Sequence, residues 1–78
     1  MKNKLWDTFC AACTLWCENV PEEITYFRQP DNKIEMCVKL TEHEACKVVD
    51  SMQNKYPDNF KKITKKNGIY TFHFEGVE

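Results

Sequence analysis

"FKKITKKNGIYTFHF", residues 60 to 74, carries the strongest local signal in this chain of 78 residues. Asn67-Gly68 stands between two stretches of alternating polar and apolar side chains, and both residues accept the left-handed angles of a type I′ turn. A two-residue turn fixes the register, so Lys66 pairs with Ile69. Ile63, Tyr70, Phe72 and Phe74 then share one face, and Lys62, Thr64, Lys66, Thr71 and His73 share the other. A hairpin with one such apolar face is not stable alone, so the rest of the chain must cover it.

Working back towards the N-terminus, "EITYFRQPDNKIEMCVKL", residues 23 to 40, reads as a second hairpin. Pro30-Asp31-Asn32 supplies the turn, with proline pre-setting its own φ and asparagine tolerating a positive one. Pairing Gln29 with Lys33 aligns Ile24 and Tyr26 with Ile34, Met36, Val38 and Leu40 on one face. The opposite face carries Thr25, Phe27, Lys33, Glu35, Cys37 and Lys39.

Between the hairpins, Thr41-Glu42-His43-Glu44 has the spacing of a capping box, in which hydroxyl and carboxylate each satisfy an amide of a first helical turn. The helix it opens turns Ala45, Val48, Val49, Met52 and Tyr56 inward and ends before Pro57. Ahead of the first hairpin, Leu5, Phe9, Ala12, Trp16 and Val20 recur at helical spacing from Lys4 until Pro21 stops the run. Trp6, Cys10, Cys13 and Cys17 widen that apolar stripe along one flank. The expected fold is α+β, in the order αββαββ. Two helices pack on one face of a four-stranded, mostly antiparallel sheet within a single compact domain spanning residues 1–78. Nothing in this pattern fixes the strand order.

Apolar residues make up 42% of the chain and charged residues 29%, a balance that supports a folded core. The formal net charge is −1, which gives the whole molecule no general attraction to nucleic acid or acidic membranes. The charge is uneven, however. Residues 1 to 54 hold six basic and nine acidic side chains, a net of −3, and residues 55 to 78 hold five and three, a net of +2. The basic excess lies in "KKITKK", residues 61 to 66. No apolar run approaches the roughly 18 residues of a membrane span, and Asp7 interrupts what could be a signal-peptide core, so a cytoplasmic location is expected. Ten lysines accompany one arginine, Arg28, alongside six asparagines. This usage fits AT-rich coding sequence of the kind found in phages and low-GC bacteria.

The five cysteines are odd in number and come without a secretion signal, which argues for reduced thiols over a disulfide framework. "CAAC", residues 10 to 13, lies in mid-helix with no preceding strand, which is not the setting that activates a thioredoxin-type pair. A zinc site would draw on Cys10, Cys13 and Cys17 of the first helix with His43 and Cys46 of the second. Structural zinc sites take ligands from knuckles and turns, whereas these clusters are helical, and cysteine is a common small hydrophobe in helix seams. Packing is therefore the expected role, with neither metal nor other cofactor bound.

Catalytic constellations are equally sparse. Ser51 and His43 fall on solvent-facing parts of the second helix, too far apart to form a dyad. The pairs Glu22-Glu23 and Glu42-Glu44 suit helix entry and capping. The only two glycines, Gly68 and Gly76, make no phosphate loop. The outward sheet face remains. There, Phe27, Cys37, Lys39, Lys62, Lys66 and His73 combine an aromatic anchor with a basic rim. The leading expectation is a non-enzymatic protein-binding module, an inhibitor or adaptor encoded by a phage or other mobile element and acting on a host protein. The alternatives are a nucleic-acid binder using Lys61, Lys62, Lys65 and Lys66 on phosphate, or a small helical zinc domain.

Overall fold

A computed structural model describes residues 4–17 and 24–76. In chain order the elements are α1 (Lys4–Trp16), β1 (Ile24–Gln29), β2 (Lys33–Lys39), α2 (Glu42–Lys55), β3 (Phe60–Lys66) and β4 (Ile69–Glu75). The strands form one sheet in the order β1-β2-β4-β3, with every neighbouring pair antiparallel. No helix among the described residues is long and apolar enough to cross a membrane.

Turn chemistry sets both hairpins. Asn67 and Gly68 adopt φ of 51° and 78°, and Lys66 pairs with Ile69. In the first hairpin Asp31 and Asn32 take φ of 64° and 58°, and Gln29 pairs with Lys33. Aspartate shares asparagine's tolerance of this region because its short polar side chain can bond locally. β2 and β4, each flanked on both sides, alternate buried and less buried residues along their whole length. Their pairing sets Ile34 opposite Phe74, Met36 opposite Phe72 and Val38 opposite Tyr70. That buried face is continuous with Leu5, Phe9, Ala12 and Cys13 of α1 and with Ala45, Val48 and Met52 of α2. Phe9 meets Phe72 edge-on at 4.9 Å between ring centres, Trp6 meets Tyr26 at 5.6 Å, and Tyr56 meets Phe74 at 6.3 Å.

The capping box at the start of α2 is complete. The Thr41 hydroxyl accepts from the Glu44 amide at 3.2 Å, and the Thr41 amide donates to the Glu44 carboxylate at 2.9 Å.

Two features depart from the sequence pattern. Trp16, expected on the inward stripe of α1, is 44% exposed. It is the last residue of the helix, and its ring meets Lys47 of α2, whose Nζ stands 5.7 Å from the ring centre. Helical spacing gives the direction of a side chain, and at this end the cover comes from an exposed lysine. Val20 and Pro21, expected to close the stripe and stop the helix, lie outside the described residues, as do Glu22 and Glu23. The second departure is a bulge in β3 between Phe60 and Lys62. In strict alternation with Ile63, Phe60 would face outward and Lys61 inward. The extra residue reverses this, and Phe60 stacks on Phe72 and Phe74 at 5.8 and 5.0 Å.

Candidate functional site

The strand order arranges the outward side chains in rows. Lys39, Ile69 and Lys66 form one row across β2, β4 and β3. Thr25, Cys37, Thr71 and Thr64 form the next, running from β1 to β3. Phe27, Glu35, His73 and Lys62 form a third, and Gln29, Lys33 and Glu75 close the face. Each row joins residues far apart in the chain, which is why the face could not be assembled from either hairpin alone.

Polar side chains in the middle of this face are tied to one another. Gln29 Nε2 donates to Glu35 Oε2 at 2.6 Å. The same carboxylate oxygen lies 3.9 Å from His73 Nδ1, while His73 Nε2 shares a 3.1 Å hydrogen bond with the Thr64 hydroxyl. Cys37 Sγ and Thr71 Oγ1 share another at 3.3 Å in the neighbouring row. The order hydroxyl, imidazole, carboxylate resembles a nucleophile with its base and orienter, but 3.9 Å exceeds a hydrogen bond. The amides of an antiparallel ladder also point along the sheet plane towards neighbouring strands, not out of the face where an oxyanion would form. The arrangement orients the imidazole and gives the surface a hydrogen-bonded polar centre.

Large apolar groups stand at two separate places on this face. Phe27 on the edge strand β1 is 49% exposed, and Ile69 is 46% exposed between Lys39 and Lys66. The sequence places Phe27 beside the lysines of the second hairpin; the strand order places it at the opposite edge. It is separated from Lys62 by Glu35 and His73, about 14 Å at strand spacings of ~4.8 Å. The aromatic anchor therefore neighbours a carboxylate, not the basic rim.

The lysine run is divided. Lys62 and Lys66 share the outward face. Lys65, opposite Tyr70, lies on the other side with its Nζ 5.3 Å from the Tyr70 ring centre. Lys61 sits at the bulge and donates to the Asp58 carbonyl at 2.9 Å. The four cations thus do not make a single surface.

Of the five cysteines, Cys13 and Cys17 are buried, Cys10 and Cys37 half-buried, and Cys46 exposed. Burial pushes the Cys13 thiol up to about 12, with further contributions from Cys17, Cys10 and Glu44. The Cys17 thiol is also raised, first by burial, then by the Glu44 charge and a hydrogen bond to that carboxylate. The residue of α2 that faces these thiols is accordingly Glu44; His43 and Cys46 are exposed. Among the described residues no three His, Cys, Asp or Glu side chains converge as a metal site would require. Cys46 instead lines a groove of about 390 Å³, floored by Ala45, Val49, Ile63 and Tyr70 and edged by Glu42 and Asp50.

Glu35, Gln29 and Ile69 are among the members of this face that the sequence reading did not select as binding residues. Hairpin register alone shows that each points outward. That Glu35 neighbours His73, and Ile69 neighbours Lys39, depends on the pairing of β2 with β4. No protein-family model matches the chain, and no curated protein or solved structure matches it either.

Proposed function

We propose that the chain is a small, non-enzymatic protein-binding module whose outward sheet face meets the partner. In this reading both helices lie on the side of Ile34, Met36, Phe72 and Phe74, leaving the other side open. The observation that carries it is Phe27, an aromatic side chain 49% exposed at the end of a row whose Glu35 and His73 are each hydrogen-bonded to a side chain of a neighbouring row, Gln29 and Thr64. Binding energy concentrates in aromatic groups that become buried, while side chains already held by hydrogen bonds, as Glu35 and His73 are, lose little entropy on association. Lys39, Lys62, Lys66 and His73 supply the rim, with Cys37 half-buried between them. An inhibitor or adaptor of a phage or mobile element, acting on a host protein in the cytoplasm, fits the lysine-rich, arginine-poor composition.

The test compares affinity capture from a low-GC bacterial lysate with nucleic-acid titration. Wild-type bait should retain a specific protein that Phe27→Ala loses, and Lys62→Ala should weaken retention less than Phe27→Ala does. A different result would replace this reading with phosphate binding. That result is affinity for mixed-sequence DNA or RNA tighter than roughly 10⁻⁴ to 10⁻⁶ M at about 150 mM salt, abolished by Lys62→Ala with Lys66→Ala and indifferent to Phe27→Ala.

A further inference from the structure

The two edges of the sheet are built differently. β3 carries four lysines and a bulge, both of which are devices that keep an edge strand from pairing. β1, at the other edge, reads ITYFRQ, pairs with β2 in unbroken register over all six residues, and has one charge, Arg28. No other described strand pairs with β1. We propose that the β1 edge binds a second copy of this chain, joining two sheets through antiparallel β1 strands.

The charge pattern selects this occupant. A two-fold axis normal to the sheet keeps both outward faces on one side, and side-chain alternation then requires some residue of β1 to sit opposite itself. Centring on Phe27 pairs the two exposed phenyl rings. It also sets each Thr25 opposite Gln29 of the second copy, and each Tyr26 opposite the second copy's Arg28. The only cation of the strand thereby meets an aromatic ring instead of another cation. Self-pairing of β3 about Thr64 would oppose Lys62 to Lys66 twice, and like charges directly opposite are destabilising. The dimer would leave only lysine-bearing edges outermost, so pairing stops at two chains. Contact along a single short strand is small, which makes the association concentration-dependent.

The experiment is sedimentation velocity over a concentration series, with circular dichroism to establish folding. It uses the wild type and two double variants that share Gln29→Lys: Thr25→Glu/Gln29→Lys and Thr25→Lys/Gln29→Lys. The first places opposite charges across the two-fold axis twice, and the second places like charges there twice. Wild type should shift from monomer to dimer as concentration rises, and the Glu/Lys variant should dimerise roughly tenfold or more tightly than the Lys/Lys variant. All three keep Phe27, so the outcome does not depend on whether that ring anchors another partner. Wild-type protein that remains monomeric up to its solubility limit overturns the proposal, as does equal dimerisation by two folded variants.

Discussion

Cys13 is fully buried on the inner side of α1, and its thiol, ordinarily near 9.0, is pushed up to about 12. A group that holds its proton more tightly when folded stabilises the fold below its unfolded pKa, and that contribution disappears as pH rises through the folded value. Stability should therefore be insensitive to Cys13 below about pH 9 and fall between there and about 12. Urea midpoints measured against pH should show a steeper alkaline decline for wild type than for Cys13→Ala, and parallel curves would mean that the thiol is not desolvated. The same burial orders reactivity, because the thiolate is the nucleophile. Under native conditions a thiol reagent should label exposed Cys46 first, and Cys13 only as the chain unfolds. Glu44 takes part in both the helix cap and the setting of Cys17, so its carboxylate joins the start of α2 to the end of α1.

Among the elements, the hairpins were the most legible in the sequence, since Asn67-Gly68 and Pro30-Asp31-Asn32 dictate register through backbone angles that few residues accept. The capping box likewise announced the start of α2. The stripe of α1 was legible only in part, and stability measurements should separate its members. Phe72→Ala removes a ring at the centre of the buried face and should cost about 3 to 5 kcal/mol. Trp16→Ala should cost only about 1 kcal/mol, the scale of a surface cation–π contact with some packing. Equal shifts in denaturant midpoint would place Trp16 in the core after all. The bulge in β3 had a sequence signal, Phe60 out of phase with Ile63, but phase alone does not distinguish a bulge from a strand that begins later. The composition of the candidate face was legible from each hairpin, whereas its adjacencies were not, because they rest on the pairing of β2 with β4 across the intervening helix.

At the scale of the whole molecule, the described residues bring together no thiol and imidazole set for a metal. Native mass spectrometry should accordingly return the mass of the bare chain or its dimer. An excess of one zinc ion, removed by Cys13→Ser or Cys46→Ser, would reveal a ligand set of another geometry. The strand order β1-β2-β4-β3 has a further consequence. Exchanging the segments α1-β1-β2 and α2-β3-β4 leaves that order unchanged, and the exchange carries Ile34, Met36 and Val38 onto Tyr70, Phe72 and Phe74. The four strands thus follow a pseudo-two-fold order about an axis passing between Met36 and Phe72. β1 and β3 are equivalent positions in that symmetry, and the lysines and bulge found on only one of them break it.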